Sequence, residues 1–438
     1  MSVIRDKKWK EWGMYIATLL FLLLINDWEG LLDGSEFLPK GEFYDFVFAA
    51  MLLSWGIWAV KNRTQLKLSI TEWKILFPMA VILIYCSISG IACIVSKTQG
   101  FMSTVLVLRE VYYVLIFLPF LFFDYDIKKM LRVLLTVDIL GSLIKTLEIF
   151  TGPLTSVHVG GIYESTTVWM WRCFSEVPLL SFFLCPLLIY GLLQKQYILC
   201  KWGDIVACLI IFVGRFFDMS RMAMFALIVV CSIAYVFGRG NGWKTIGTQL
   251  GKMFLIFCGL VVILIITFPS IVRRFINGFL ELFHLYGADY TSEFNLAYRT
   301  GTLLDRWEYL KHHNKLLFGF GPLHNDLDIW VGDRGGIANA GVVAPDTAYG
   351  ALLLRFGCIG VILIVLMLLW IAVMLLMQKC TVTKSAGLLI IGNLINGICE
   401  HPCLGFAAFL VMGVVLGIAL KARNEYAIEK AVAVTGNK

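Results

Sequence analysis

Long apolar stretches recur along nearly the whole 438-residue chain, separated by mostly short polar connections. A helix of about 20 residues crosses the hydrocarbon core of a bilayer. A segment exposed to lipid must satisfy its backbone polar groups internally, which a helix does and an open sheet does not. The pattern therefore predicts an all-α, polytopic membrane protein.

The charge content supports this class and excludes others. Only 15% of the residues are charged and 59% are hydrophobic, whereas soluble domains carry about a quarter charged residues. This composition excludes a nucleic-acid-binding protein, a disordered chain and an ordinary cytosolic enzyme. Most of the 12 cysteines lie inside apolar stretches, where Cys behaves as a small hydrophobe. Their spacing predicts neither a metal site nor a cofactor site.

The apolar stretches predict twelve membrane spans, at residues 12–26, 43–60, 74–96, 101–123, 129–150, 177–193, 202–217, 221–238, 252–268, 347–377, 385–399 and 403–420. The chain accordingly divides into three parts. Residues 1–268 hold the first nine spans, residues 269–346 form one large loop, and residues 347–438 hold the last three spans and a tail. A loop of that length in a compact protein is usually functional.

The distribution of Lys and Arg predicts the orientation in the membrane. Basic residues concentrate in alternate connections, among them the segments 5–10, 61–74 and 128–132. Cytoplasmic loops carry such an excess of basic residues. Both termini are therefore predicted in the cytoplasm, and the large loop on the opposite side, periplasmic or extracellular.

Several ionisable residues lie in or beside the outer halves of the predicted spans, namely Arg109, Lys145, Glu148, Arg172, Arg221 and Arg355. A charge at that depth is costly unless it is paired or faces water, so each is a candidate site residue. Simpler interpretations apply to some of them. Lys145 and Glu148 have the spacing of a local ion pair, and Asp138, in mid-span, is expected to be packed, protonated or hydrogen-bonded.

The large loop contains one segment with a helical pattern, residues 292–317. Leu303, Trp307 and Leu310 form an apolar stripe in this segment, which predicts that Trp307 packs in a core. Gly301 costs about 1 kcal/mol in the middle of a helix, so the helix is expected to begin after it.

Two arginines of this segment, Arg299 and Arg306, are seven residues apart and share another face of the helix. They would lie about 10 Å apart along the helix axis. A face with two arginines could contribute to a binding site. The alternative is an amphipathic helix on the membrane surface whose arginines are solvated.

Spans that run inward begin at the outer surface, where their N-termini present free N–H groups and a positive dipole end. Ser175 and Ser220 are candidate N-caps, and Asp346 and Thr347 stand at the start of the span at 347–377. Arginines beside such N-termini make a natural diphosphate site. The alternative is that Ser220 and Asp346 act only as caps.

Four segments, taken in their order along the chain, carry a likeness to a known family. They are Trp171–Pro178, an arginine segment that leads into a helix; Met219–Ala223, a Ser-Arg motif that opens a span; Arg299–Gly321, a loop helix with the pattern R…W…GxG; and Asp346–Gly360, close to the pattern HN/DN-x-Y…G-x-x-G. Together they resemble the O-antigen polymerase and O-antigen ligase superfamily of bacterial envelope glycosyltransferases. With the span count and the large loop, the likeness covers most of the chain.

The resemblance implies a GT-C-like helical fold and a metal-independent, inverting glycosyltransferase without a cofactor. Its donor would be a glycan carried by undecaprenyl diphosphate. The resemblance assigns the diphosphate to arginines, here Arg172, Arg221, Arg299 and Arg306. A base would take the proton of the acceptor hydroxyl, and the candidates in order of preference are Asp346, His324 and Glu176. Further candidate site residues, from their positions in the spans, are Arg109, Arg355 and Ser220.

The predicted function is polymerisation of lipid-linked repeat units of O-antigen or a similar surface polysaccharide, as in lipopolysaccharide biosynthesis at the inner membrane. Donor and acceptor would both be lipid-linked oligosaccharides, and a chain-length regulator and a flippase would be partners. Ligases of the family usually have His-Asn where this chain has Asp346 and Thr347. This departure counts against a ligase that acts on the lipid A core. The other alternative is a lipid-linked oligosaccharide transporter, for which interrupted mid-membrane helices and internal repeats are expected.

Overall fold

The computed structural model describes residues 12–19, 40–63, 68–151, 159–165, 168–173, 179–217, 221–239, 296–323, 347–398 and 406–435. For the two strands and several helix ends, among them 221 and 296–302, the description covers the backbone alone. Helices make up nearly all of the described residues, as the apolar pattern predicts.

The helices of the N-terminal part follow the predicted spans. They are α1 (12–19), α2 (Lys40–Lys61), α3 (Ile70–Val95), α4 (Phe101–Tyr112), a 3₁₀ turn (Tyr113–Ile116), α5 (Phe117–Phe122) and α6 (Ile127–Thr151). The 3₁₀ turn joins α4 to α5 in one nearly continuous segment. Pro119 lacks the N–H that would bond to the carbonyl of Leu115, which accounts for the local change of helix type.

The remaining helices lie on predicted spans, except for one in the large loop. They are α7 (Ser181–Gln194), α8 (Lys201–Phe217), α9 (Arg221–Arg239), α10 of the loop (Leu296–His312), α11 (Ala348–Leu376), α12 (Thr381–Asn396) and α13 (Phe406–Thr435). The predicted span at 252–268 lies outside the described residues.

Three helical segments in the described part of the chain are long and apolar enough to cross a membrane: Ile70–Val95, Phe101–Phe122 and Ala348–Leu376. Ser181–Gln194 and Met222–Gly238 are apolar but shorter. These helices are compatible with a membrane protein, as predicted. The number of twelve spans and the side that faces the cytoplasm stay predictions.

One departure from the all-helical prediction is an antiparallel hairpin between α6 and α7. β1 (Val159–Ser165) pairs with β2 (Val168–Cys173), and Ser165 stands opposite Val168 at the turn. β-branched and aromatic residues, which favour strands, are frequent in both segments. β2 contacts α6, so the hairpin lies against that helix.

Most buried apolar side chains form one core, in which α7, α9 and α12 contact one another and α13 packs on α12. α7 is buried without interruption from Ser181 to Leu188, as expected of a central helix. A second, smaller cluster joins α10 to α11 and to the end of α3. Its members are Cys93, Leu310, Leu323, Leu353 and Leu354. The large loop is therefore attached to the helices by an apolar core of its own.

Contacts between helix termini define one end of the bundle, here named the Ser69 end. Ser69 is the N-cap of α3, and Arg423 on α13 donates to its hydroxyl at 3.2 Å. Lys421, also on α13, donates to the carbonyl of Phe123, and the amide of Asp126 donates to the hydroxyl of Tyr15 on α1. α1 and this part of α13 thus have contacts at the same end of the bundle.

The opposite end of the bundle is named the Thr347 end. The amide of Ala348, at the start of α11, donates to the carbonyl of Gly397, just after α12, at 3.2 Å. Gly392, near the end of α12, lies against the ring of Phe182 at the start of α7. α7 and α11 therefore begin at the end where α12 finishes.

Candidate functional site

The loop helix α10 is held on the start of α11 by its buried face. Arg306 and Leu310, one turn apart on α10, are 5% and 0% exposed. Leu310 belongs to the small cluster with Leu354 of α11. The guanidinium of Arg306 lies so close to Gly350, in the first turn of α11, that a methyl group there would collide with Nη1. Arg306 therefore lies at the N-terminus of the helix that follows Asp346 in the chain.

The first turn of α11 is capped by protein groups. Thr347 is the N-cap, and its Oγ1 accepts a hydrogen bond from the amide of Gly350 at 3.1 Å. The amide of Ala348 is bonded to the carbonyl of Gly397. The prediction of free N–H groups at this N-terminus is therefore wrong for these two amides. The cap is Thr347 and not Asp346, because the N-cap directly precedes the first helical residue.

The loop helix differs from its prediction in where it starts and in which face it buries. α10 begins at Leu296 and continues through Gly301, so the expected start after this glycine is wrong. Trp307 is 43% exposed, which contradicts its expected packing in a core. The inward face carries Arg306 instead, and the alternative of a solvated arginine is wrong for this residue.

α11 is interrupted at Gly357. This residue has φ 64° and ψ −173°, which are not helical values, and a left-handed φ favours glycine. A break of this kind leaves carbonyl groups before it and amides after it without partners in the helix. Partners come from the segment 315–323, which follows α10 and is named the strap.

The strap bonds to both sides of the break. Four backbone hydrogen bonds connect them: Phe320 N–H to Leu354 O (3.0 Å), Gly321 N–H to Arg355 O (2.8 Å), Cys358 N–H to Leu316 O (2.9 Å) and Ile359 N–H to Leu317 O (3.1 Å). A further carbonyl at the break, that of Phe356, accepts from the hydroxyl of Tyr85 at 2.9 Å. These five backbone groups of α11 are thus satisfied by protein.

Arg109 and Arg355 have acidic partners on neighbouring helices. Arg109 on α4 pairs with Asp45 on α2, and the hydroxyl of Tyr113 donates to the same carboxylate. Arg355 on α11 lies 3.5 Å from Glu110 on α4. Consecutive residues of a helix point apart, so Arg109 and Glu110 pair with different helices. Both arginines have their charge balanced by a protein carboxylate, and a role in joining helices accounts for them.

A buried polar triad joins α6, α7 and α8 at the Thr347 end. The hydroxyl of Ser181 donates to Asp138 at 3.0 Å and accepts from Arg215 Nε at 2.9 Å, and Arg215 Nη2 donates to Asp138 at 3.0 Å. The three residues are at most 5% exposed. The prediction that Asp138 is packed and hydrogen-bonded is confirmed. The predicted pair of Lys145 and Glu148 is also confirmed, with 3.0 Å between Nζ and Oε2.

Arg215 and Gln99 are two polar residues of this region that sequence reasoning missed. The rule that makes Arg109 a candidate, an ionisable group within an apolar helix, applies equally to Arg215 in the last turn of α8. Its partner Asp138 is 77 positions away, a pairing that has no signature in the spacing. Gln99 is 7% exposed and donates to a strap carbonyl at 3.1 Å. Nothing in its sequence context indicates this contact.

The other predicted diphosphate-binding arginines are placed by the backbone alone. Arg172 lies on β2, Arg221 is the first residue of α9, and Arg299 is in the first turn of α10. Leu180 is the N-cap of α7, so the prediction of Ser175 for this role is wrong. The predicted residues that lie outside the described part of the chain are Glu176, Ser220, His324 and Asp346.

The described part of the site supplies positive charge and apolar packing. Burial raises the pKa of Tyr309, on α10 beside the strap, above its ordinary value of 10.0. Its phenol is therefore neutral at pH 7. Among the residues that the structure describes, no three His, Cys, Asp or Glu side chains come together as metal ligands.

A groove of about 460 Å³ lies between α3 and α11, towards the Ser69 end. Trp73 and Phe77 of α3 and Met367 and Trp370 of α11 are among the residues that line it. Trp370 is 20 residues beyond Gly350, about 30 Å along a helix. The groove, whose lining is mostly apolar and also includes Lys74, is therefore separate from the region around Arg306.

No family model matches this sequence, and no curated protein matches it. The family resemblance therefore stays a prediction, which depends on the four sequence segments. The arrangement of α10, the strap and α11 is independent of that resemblance, because it comes from contacts between residues far apart in the chain.

Proposed function

We propose that the protein is a polymerase of lipid-linked polysaccharide repeat units, active at the outer leaflet of the inner membrane. The donor is a growing glycan on undecaprenyl diphosphate, and the acceptor is a second lipid-linked repeat. A hydroxyl of the acceptor attacks the anomeric carbon of the donor and loses its proton to a base. The sugar–phosphate bond breaks, and undecaprenyl diphosphate leaves.

The observation that carries this proposal is the position of Arg306. Its buried guanidinium contacts the first turn of α11, a helix long and apolar enough to cross a membrane. Bond cleavage builds negative charge on the leaving diphosphate. A guanidinium and the positive end of a helix dipole stabilise such charge, most strongly where water is excluded. Since the amides of Ala348 and Gly350 are already bonded, they are not available to the anion, and the turn contributes through its dipole.

The remaining roles follow the sequence prediction. Arg172, Arg221 and Arg299 are proposed to share the diphosphate with Arg306. Asp346 is the first choice for the base, because it directly precedes the cap residue of α11 in the chain. His324, the next candidate, directly follows the strap, and Glu176 is the third.

Chain growth by purified protein on lipid-linked repeats tests the arginine. Arg306→Ala should lower turnover about 100-fold, as expected when one group that stabilises a developing anion is removed. Arg306→Lys should recover only part of this loss, because lysine lacks the planar fork that fits a phosphate. Arg63→Ala, at an exposed arginine just after α2, is the matched control. Normal chain growth in Arg306→Ala would remove the basis of the proposal.

Two further arms of the same assay assign the base and the acceptor. Full turnover in Asp346→Asn would exclude Asp346 as the base, and His324→Ala is then the next variant. Transfer to lipid A core, without chain growth on a lipid-linked repeat, would identify a ligase.

The break in α11 favours one other function, transport of a lipid-linked oligosaccharide. Transporters bind substrates and ions at interrupted helices, through backbone groups that the interruption frees. Here the five backbone groups described above bond to the strap and to Tyr85 instead, which argues against such a site. Proteoliposomes separate the two functions. Movement of lipid-linked repeats across the bilayer without chain growth would favour the transporter.

A further inference from the structure

Two glycines that take no part in the proposed chemistry form a reciprocal contact between the strap and α11. Gly319 of the strap and Gly357 of α11 both have a left-handed φ, 69° and 64°. A Cβ atom at Gly319 would meet the nitrogen of Gly357 at 2.6 Å, and one at Gly357 would meet the nitrogen of Gly319 at 2.5 Å. Real Cβ atoms do not approach backbone so closely, so a side chain at either position would push the strap out of the break.

We propose that Gly319 and Gly357 are positioning residues. Their close contact, here named the lock, keeps the strap in the break and thereby holds Arg306 on the first turn of α11. This inference rests on the proposed function, because the lock is inferred to position the arginine that is proposed to bind diphosphate. The lock itself can be measured without any substrate.

The strap is continuous with α10 through backbone hydrogen bonds, so the two move together. The amide of Lys315 donates to the carbonyl of Leu310 at 2.8 Å, and the amide of Gly319 donates to the carbonyl of Lys315 at 2.7 Å. Displacement of the strap would therefore pull on the last turns of α10. Arg306 lies on α10 one turn before Leu310 and would be displaced with it.

Few other contacts hold α10 in place. Among its described side chains, only Arg306 and Leu310 are buried. The strap, in contrast, is fixed on three sides: it bonds to α11, its carbonyl at Pro322 accepts from Gln99, and Leu323 belongs to the small apolar cluster. The position of Arg306 thus depends on the strap as well as on the contacts that Arg306 and Leu310 make with α11.

The break makes the locked position the favourable one. Without the strap, two carbonyls and two amides of α11 would lose their partners. Away from water, unpaired backbone groups are strongly unfavourable. We therefore expect the strap to be a permanent part of the site and not a lid that opens in each cycle.

Amide hydrogen exchange of the full-length protein in detergent measures the lock. The amides of Phe320 and Gly321 should exchange slowly, although they belong to a loop, because they donate to carbonyls of α11. Gly357→Ala and Gly319→Ala should each speed this exchange at least about tenfold. Gly56→Ala on α2, where an added methyl meets no atom within 4 Å, is the matched control. Rapid exchange of these amides in the unmodified protein would overturn the lock.

Chain-growth kinetics test the positioning role. Gly357→Ala and Gly319→Ala should each lower kcat about 100-fold, a loss typical of misplacing a catalytic group by about 1 Å. The KM should change little, as for an interaction made in the transition state. If Gly357→Ala does not fold, Gly319→Ala makes the same test from the strap, outside α11.

A double-mutant cycle separates this inference from the proposed function. If the lock acts through Arg306, Gly319→Ala should lower kcat no further in the Arg306→Ala background. A double variant whose loss is the product of the two single losses would overturn the inference. The inference would also be overturned if Gly319→Ala had a normal kcat although the amides of Phe320 and Gly321 exchanged fast. That result would leave the proposed function intact. Normal kcat in Arg306→Ala would overturn both.

Discussion

The two ends of the helix bundle use their polar groups in opposite ways. At the Ser69 end these groups mainly complete helix ends. Ser69 and Glu72 form a capping box at the start of α3, and Arg423 and Asn424 of α13 bond to it. The side chains of Ser69 and Glu72 substitute for backbone partners that the helix terminus lacks, and Arg423 and Asn424 donate to their side-chain oxygens.

At the Thr347 end, charged groups are buried between helices. Asp138, Arg215 and Arg306 are 1%, 5% and 5% exposed. Burial of a charge is costly unless it is paired, and residues that carry this cost within apolar helices tend to be functional. The Ser69 end also buries a carboxylate, that of Glu72 (2% exposed), but this group completes the cap of its own helix. The burial of charged groups between helices is the physical reason for locating the proposed site at the Thr347 end. It also predicts unequal effects of substitution at the two ends.

The largest effect on stability is expected at Asp138. Asp138→Ala should lower the free energy of unfolding by about 3–5 kcal/mol, because it leaves the guanidinium of Arg215 buried without its carboxylate. Denaturant titration of the protein in detergent measures the loss. The double variant Asp138→Leu/Arg215→Met, which removes both charges, should recover most of it. A single variant as stable as the unmodified protein would contradict the contrast between the ends.

A smaller effect is expected where α6 and α8 approach each other beside the triad. A Cβ atom at Gly214 would meet the Cβ of Ser142 at 2.6 Å and its Cα at 2.8 Å. Gly214→Val should therefore lower the free energy of unfolding by about 1–3 kcal/mol, the range for an overpacked core. Gly56→Val on α2, where there is open space, controls for helix propensity in the same titration. Equal losses in the two variants would exclude close packing as the cause.

Towards the Ser69 end, a side chain replaces one helical hydrogen bond. Pro78 in α3 has no N–H for the carbonyl of Lys74, and the indole N–H of Trp370 donates to this carbonyl at 3.2 Å instead. Trp370→Phe should lower the melting temperature through a loss of about 1 kcal/mol. In a Pro78→Ala background, where α3 can supply its own donor, the same substitution should have a smaller effect. An equal effect in both backgrounds would mean that Trp370 acts by packing.

The smallest effect is expected at Arg423. Its side chain donates to Gln378 at 3.1 Å and to Ser69 at 3.2 Å, in partly exposed surroundings. Arg423→Ala should lower the free energy of unfolding by less than about 1 kcal/mol, as for most exposed polar contacts. A loss comparable to that of Asp138→Ala, in the same titration, would show that the two ends are equally dependent on their polar groups.

The positions of the helices could largely be predicted from the apolar pattern, and the inward face of the loop helix could not. Trp307 was expected in a core and is 43% exposed, whereas Arg306, for which a solvated position was the alternative prediction, is buried. Periodicity ranks the faces of a helix by hydrophobicity alone. Which face of α10 is buried depends instead on its tertiary contacts, with the apolar cluster around Leu310 and with the first turn of α11.

Part of the candidate site was also accessible from sequence. The order of the motifs singled out Arg306, and the scarcity of charge marked Asp138 and Arg355 as unusual. The partners of these residues were not accessible. Asp138 pairs with Arg215 and Arg355 with Glu110, across 77 and 245 positions of the chain.

The amino-acid sequence by itself determined that this protein is helical, with apolar helices compatible with a membrane protein, and it determined the approximate bounds of those helices. Those properties depend on composition and on neighbours within about four residues, which the sequence displays directly. Only the tertiary structure decided that α11 breaks at Gly357, that the strap fills the break, and that Arg306 is buried on α11. These features arise from backbone and side-chain contacts between segments distant in the chain, and no local pattern encodes which distant groups will meet.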